Sequence, residues 1–130
     1  MTLPKYCFDT HALVWYFKGV KTLSNKAKQI LDQTFEGNAI AFIPSIVILE
    51  AFHISLKDKE FIFSKFIKYL ARTKFIVIPM NEETLKIGFG LSEKINIHDR
   101  SVVSTAIYTK STLVTKDGIL RNLFPTETIW

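Results

Sequence analysis

Short apolar runs alternate with segments of helical periodicity along the chain, and this alternation limits the folds that the sequence can adopt. A helix-length segment between two strands allows a crossover connection, and therefore parallel pairing of the strands. Runs that are apolar throughout indicate strands whose two faces are both covered. The pattern predicts a single α/β domain over residues 1–130, a three-layer α/β/α sandwich with a central parallel sheet of four to five strands.

Capping and turn signals divide the chain into elements. The predicted strands are residues 5–9 (KYCFD), 39–43 (AIAFI), 75–78 (FIVI) and 113–115 (LVT), with a candidate fifth at 128–130. The predicted helices are residues 11–17, a helix from residue 24, a helix from residue 45, and residues 59–72, 82–94 and 96–110. Ser45, directly after Pro44, is expected to cap the helix that it begins.

Composition narrows the range of functions. A single cysteine, Cys7, excludes an intramolecular disulfide framework and a zinc site built from several cysteines. No apolar stretch approaches the roughly 20 residues of a membrane span, and the N-terminus is too poor in apolar residues for a secretory signal. We therefore expect a cytoplasmic protein. The formal net charge of +5 favours a polyanionic partner, although ordinary solubility explains it equally well.

Glu50 lies inside a strongly apolar run, SIVILEAFHI at residues 45–54. Glutamate is almost never fully buried without a partner, because burial of the lone anion is costly or forces protonation. This carboxylate therefore needs a partner or a wet cleft. Glu50 follows the start of its helix by about one and a half turns, so its side chain can reach back toward the edge of the sheet.

Three aspartates are predicted at the edge of the sheet where the parallel strands end. Asp9 ends the first strand, Asp99 lies in the first turn of a helix, and Asp117 follows the fourth strand. Each has a local explanation, as a helix N-cap, a complement to the helix dipole or an Asp-Gly turn. Together with Glu50, however, they predict an acidic cleft at the edge where such folds bind ligands. Oxygen ligands of this kind suit hard cations such as Mg²⁺ or Mn²⁺.

The order and spacing of these motifs resemble the PIN domain family of metal-dependent ribonucleases. The similarity extends over nearly the whole chain and is carried by DTHALVWYF, LSNKA, SIVILE, HDRSVVSTAI, LVTKDG and the terminal IW. The branch that the chain resembles is similar to the toxins of VapBC toxin–antitoxin pairs. This resemblance implies an RNA substrate, a cognate antitoxin protein, a homodimer, and products with 5′-phosphate and 3′-hydroxyl ends.

The resemblance also implies roles for individual residues. The carboxylates implied to be catalytic and metal-binding are Asp9, Glu50, Asp99 and Asp117. Thr115 and Ser45 are implied to orient water or ligands, and Arg100 to contact the substrate or brace the site. Lys116 is suggested by charge and position instead, because it flanks the Asp117 loop and is well placed for a backbone phosphate.

Several alternatives stay open at the level of sequence. Trp15 and Tyr16 are candidates for stacking on unpaired bases, but core or interface packing explains them as well. Phe52, His53 and His98 depart from the family pattern and leave the substrate preference open. The alternatives to the toxin are a catalytically inactive PIN-fold interaction module and a housekeeping RNA-processing nuclease without an antitoxin. A phosphoacceptor receiver domain is disfavoured, because no aspartate ends the third strand.

Overall fold

A computed structural model describes residues 2–130 and shows alternating strands and helices. The strands are β1 (Lys5–Phe8), β2 (Ile40–Pro44), β3 (Phe75–Ile78), β4 (Thr112–Val114) and β5 (Thr128–Ile129). The helices are α1 (Thr10–Lys18), α2 (Asn25–Phe35), α3 (Ser45–Lys57), α4 (Phe63–Ala71), α5 (Glu82–Phe89), α6 (Ile97–Thr109) and α7 (Gly118–Leu123). The predicted α/β class is confirmed, and every predicted strand is present within one residue of its expected ends.

The five strands form one parallel sheet in the order β3-β2-β1-β4-β5. The chain builds outward from β1 through β2 to β3, then returns to the other side of β1 to form β4 and β5. The order therefore reverses between β1 and β4, and ligand sites of open α/β sheets form at such a reversal. Phe8 pairs with Val114 across this point. Asp9 and Thr115, the next residues of the two strands, consequently leave the sheet side by side.

A continuous apolar core anchors the helices that carry the candidate site residues. Leu13 of α1, Val47 of α3 and Val102 of α6 are almost fully buried in it. Right-handed crossovers place helices on both faces of such a sheet, and α6 packs across β1 and β2. The core therefore fixes the direction from which each helix approaches the sheet edge. Within residues 2–130, no helix combines the length and the apolar character needed to cross a membrane.

The prediction that Ser45 caps its helix is wrong. Pro44 occupies the N-cap position, no side chain there makes a capping hydrogen bond, and Ser45 is the first residue of α3. The backbone of Pro44, with φ −58° and ψ 138°, leads directly from the end of β2 into the first turn of α3.

Other helix boundaries also differ from the predictions for local reasons. Helix α4 begins at Phe63 rather than at residue 59, because Asp58 organises a turn by accepting hydrogen bonds from the Glu60 and Phe61 amides. Helix α5 ends at Phe89, and residues 90–96 form a loop instead of a further helical turn. The short helix α7 was not predicted, since VTKDG was interpreted only as a turn.

Candidate active site

Asp9 is held at the carboxyl end of β1 through both of its carboxylate oxygens. It is the N-cap of α1, and its Oδ1 accepts a hydrogen bond of 2.7 Å from the Thr10 amide. Its Oδ2 accepts a hydrogen bond of 2.8 Å from the Thr115 hydroxyl. The N-cap explanation offered by the sequence is therefore correct, but it accounts for only one of the two oxygens.

Thr115 links Asp9 to Asp117. Its hydroxyl is buried, donates to Asp9, and accepts a hydrogen bond of 3.1 Å from the Asp117 amide. Asp117 in turn is the N-cap of α7, and its Oδ1 accepts from the Leu120 amide at 2.9 Å. One threonine thus fixes the relative positions of two carboxylates that follow neighbouring strands.

Glu50 finds polar partners despite its apolar helix. Its Oε1 accepts a hydrogen bond of 2.9 Å from the Thr10 hydroxyl, and its Oε2 lies 3.5 Å from Nδ1 of His98. The Glu50 side chain is about one-third exposed, with a relative accessibility of 32%. Glu50 is therefore neither a lone buried anion nor a core residue. It reaches from α3 to the start of α1 and to the first turn of α6.

Asp99 faces the same space from α6. Asn96 is the N-cap of this helix, and its side chain accepts a hydrogen bond of 2.8 Å from the Asp99 amide. Burial raises the pKa of Asp99 to about 6, with further contributions from the negative charges of Asp9, Asp117 and Glu50. The other three carboxylates are thus close enough to disfavour ionisation of Asp99.

These carboxylates line one open cleft of about 510 Å³. The residues around it are Asp9, Thr10, His11, Ala12, Trp15, Glu50, Asn96, His98, Asp99, Lys116, Asp117 and Trp130. The structure thus brings together all four predicted carboxylates and Lys116. The carboxylates come from the end of β1, from α3, from the first turn of α6 and from the loop after β4. They meet at the edge of the sheet where the strand order reverses.

Two predicted site residues neither line the cleft nor hydrogen-bond to its carboxylates. Ser45 is exposed and lines apolar grooves beside α3 instead. The Arg100 guanidinium donates hydrogen bonds to the carbonyl oxygens of Gly88, Leu91, Ser92 and Ile95. Of its two expected roles, substrate contact or bracing, the observed contacts correspond to bracing, because these bonds fix the loop between α5 and α6.

Three residues of the cleft were missed by sequence reasoning. Thr10 and Asn96 carried an available signal: each adjoins the start of a helix that presents a predicted carboxylate. Trp130 belongs to the terminal IW motif, but the sequence assigned it no role in the cleft. It reaches the cleft because β5 pairs with β4, which brings the end of the chain beside the residues that follow β4.

The chemistry of the donors fits a hard divalent cation, because the cleft offers four carboxylates and no thiolate. Burial is the main cause of the raised pKa of Asp99, and the negative charges of Asp9, Asp117 and Glu50, which a cation would balance, add to it. Among residues 2–130, however, no three acidic, histidine or cysteine side chains already surround a common point at ligand distance. Asp9 accepts one hydrogen bond on each carboxylate oxygen, which leaves a second lone pair on each oxygen for a cation. To share one ion, the carboxylates of the cleft would have to move closer together.

Comparison with known proteins identifies the family. The model of the PIN domain matches residues 6–123, and the chain belongs to the PIN domain family, whose members are typically nucleases. Comparison with curated proteins gives no significant match.

Solved structures support the fold at low sequence identity. VapBC2 from Rickettsia felis bound to a promoter DNA fragment is 19% identical, with a TM-score of 0.69 and coverage of 96% of this chain and 97% of that one. A toxin–antitoxin complex from Klebsiella pneumoniae is also 19% identical, with a TM-score of 0.72 and 96% of both chains covered. FitAB bound to the IR36 DNA fragment is 15% identical, with a TM-score of 0.66 and coverage of 95% and 93%.

The raised pKa of Asp99 predicts how stability depends on pH without metal. The pKa of about 6 in the folded state exceeds the ordinary aspartate value of 3.8, so the folded state binds more protons between these two pH values. The contribution of Asp99 to the free energy of unfolding is fully present below the lower pKa and is lost as the pH rises through the upper one.

Urea unfolding in EDTA tests this pH dependence. Between about pH 4 and about pH 7, the free energy of unfolding of Asp99→Asn should fall less than that of the wild type. Glu127→Gln, an exposed control, should retain the wild-type profile. Parallel profiles for wild type and Asp99→Asn would contradict the assignment.

Proposed function

We propose that this protein is a Mg²⁺- or Mn²⁺-dependent endoribonuclease that hydrolyses RNA phosphodiester bonds and is the toxin of a toxin–antitoxin pair. The observation that carries the proposal is the convergence of four carboxylates, from four separate parts of the chain, on one open cleft. Membership of a family of nucleases supports the reaction class. An RNA substrate agrees with the net charge of +5.

In this proposal, Asp9 is the central ligand of the cation, and Asp99 and Asp117 complete the site. A bound divalent ion lowers the pKa of a water and neutralises charge that develops on the phosphate oxygens. Thr115 orients Asp9 through its hydrogen bond, although its own buried side chain does not line the cleft. The hydrogen bonds from the Thr10 amide and the Thr115 hydroxyl hold the Asp9 carboxylate in one orientation at the end of β1.

Glu50 is proposed either to bind the cation, directly or through a water, or to accept the proton of the attacking water. Its hydrogen bond from Thr10 and its contact with His98 hold the carboxylate at the side of the cleft. Attack of the water on phosphorus, with departure of the 3′ oxygen, gives 5′-phosphate and 3′-hydroxyl ends. Lys116 is exposed beside Asp117 and is proposed to contact a phosphate of the RNA backbone.

We also propose a cognate antitoxin that blocks the cleft. Two similar structures are described as a VapBC2 complex and a toxin–antitoxin complex. An apolar groove between α3 and α4 shares Leu49 and Phe52 with a second pocket, which shares Glu50 and His98 with the acidic cleft. This continuous path would let an amphipathic segment bind the groove and end in the cleft.

A homodimer is proposed through an adjoining groove, between α3, α5 and the start of α6. Phe89 and Ile97 are 78% and 79% exposed there, and Met80 and Leu85 extend the apolar lining. Large exposed apolar side chains that lie together are typical of an interaction surface. A two-fold axis through this groove would bury the same patch on both copies.

The nuclease proposal is tested by incubating purified protein with a mixed RNA pool in EDTA, Mg²⁺ or Mn²⁺. Wild type should cleave only with a divalent ion, and Asp9→Asn should lose at least about 100-fold in rate, since it removes a proposed ligand. Glu127→Gln controls for loss of an acid far from the cleft. Metal-independent cleavage, or full activity of Asp9→Asn, would refute the mechanism. A folded wild type that is inert with both metals would favour the inactive interaction module.

The dimer proposal is tested by light scattering during size-exclusion chromatography. Wild type should have about twice the chain mass of 15.0 kDa, and Phe89→Glu should elute as a monomer because it places a charge in the apolar contact. Ile62→Glu, which changes an exposed apolar side chain next to α4, should stay dimeric. A strictly monomeric wild type at high concentration would exclude this interface.

A further inference from the structure

Both tryptophans of the chain line the acidic cleft. Trp15 projects from α1, and Trp130 follows β5; their ring centres are 5.9 Å apart in an edge-to-face arrangement. Each packs partly against the core and is half-buried. An indole that served only the core would be fully enclosed by it. These two rings instead remain partly accessible in the cleft, which holds the carboxylates proposed to be catalytic.

His11 extends this aromatic wall toward solvent. It lies one helical turn before Trp15 on α1, and the two rings stack with centres 5.2 Å apart and planes 17° apart. His11 is exposed. A flat ring pair of this kind offers a stacking surface at the side of the cleft, and such surfaces accept any unpaired base because every base has a π-face.

Lys116 provides the charge that a polyanion needs at this wall. Its ammonium lies 5.5 Å from the centre of the Trp15 ring, in the loop between β4 and α7. The four carboxylates repel RNA, so a cation beside them is required where the backbone enters. Aromatic rings next to a lysine are the combination that single-strand binding proteins use, with stacking for the bases and positive charge for the phosphates.

We propose that His11, Trp15, Trp130 and Lys116 form a nucleotide subsite that holds one unpaired base of single-stranded RNA beside the scissile phosphate. The base stacks on the outer side of the exposed His11 ring, whose other side lies on Trp15, and the adjoining phosphate contacts Lys116. This inference rests on the proposed nuclease function. It predicts that the protein cleaves unpaired RNA and not duplex, because a paired base is not free to stack on the wall.

An arginine-containing peptide is the competing occupant, since guanidinium groups also stack on indole. Lys116 disfavours it at this wall, because the lysine ammonium already lies over the Trp15 ring and repels a second cation. A nucleotide places its ring on the aromatic surface and its anion at the lysine, so it satisfies both features together.

The two tryptophans supply the probe for binding. Fluorescence of the Asp9→Asn protein is titrated with a short single-stranded oligoribonucleotide of mixed sequence, with the same strand annealed to its complement, and with a basic peptide. The single strand should quench the fluorescence most strongly. Equal quenching by the duplex, or quenching by the peptide but not by the single strand, would overturn the subsite.

Kinetics of the cleaving enzyme give the second test. His11→Ala and Lys116→Gln should each raise KM by roughly 10-fold, the range expected for loss of stacking or of a phosphate contact. His11→Phe, which restores a ring, should recover most of that loss. His53→Ala and Lys65→Gln change an exposed histidine and an exposed lysine elsewhere and should leave KM unchanged.

The outcomes separate this inference from the nuclease proposal. Unchanged KM for His11→Ala and Lys116→Gln, in a wild type that cleaves RNA, would overturn the subsite and leave the nuclease intact. Quenching by single strands in a protein whose wild type never cleaves would refute the nuclease and support the subsite as an RNA-binding site.

Discussion

Four carboxylates held at one edge of the sheet repel one another, and the surrounding hydrogen bonds keep them together despite that repulsion. Thr115 is central to this arrangement, because its buried hydroxyl contacts Asp9 and the Asp117 amide at the point where β1 and β4 end. Thr10 connects the same region to Glu50. The unbalanced charge is visible in Asp99, whose pKa is raised by burial and by the other three acids. A divalent cation is the simplest partner for such a site.

The fold places this site where its strand order reverses. Phe8 and Val114 are partners across β1 and β4, so the residues after them meet without any long-range adjustment. Helices α3 and α6 are anchored in the core by Val47 and Val102 and bring Glu50 and Asp99 to the same cleft. The acids can therefore be distant in sequence and still share a cleft, and the apolar grooves beside α3 leave room for protein partners at its rim.

Much of this arrangement could be predicted from sequence, because it follows from local rules. Continuous apolar runs predict parallel strands, and acids directly after strands predict an acidic edge. The capping prediction for Ser45 was wrong because Pro44 itself takes the N-cap position, so Ser45 becomes the first residue of α3. The contacts of Arg100 depend on the loop carbonyls after α5, and Trp130 depends on the pairing of β5. Such contacts join residues through tertiary structure, so no local pattern reports them.

The most direct test of the central claim is the thermal unfolding midpoint of wild type and Asp99→Asn at neutral pH, in EDTA and with saturating Mg²⁺ or Mn²⁺. An ion that binds only the folded state at about 100 times its Kd stabilises by about 2.7 kcal/mol, which corresponds to a rise of roughly 5–10 °C. The account predicts this rise for the wild type and a clearly smaller one for Asp99→Asn, which lacks one of the four charges. Identical midpoints for the wild type in EDTA and in both metals would contradict it.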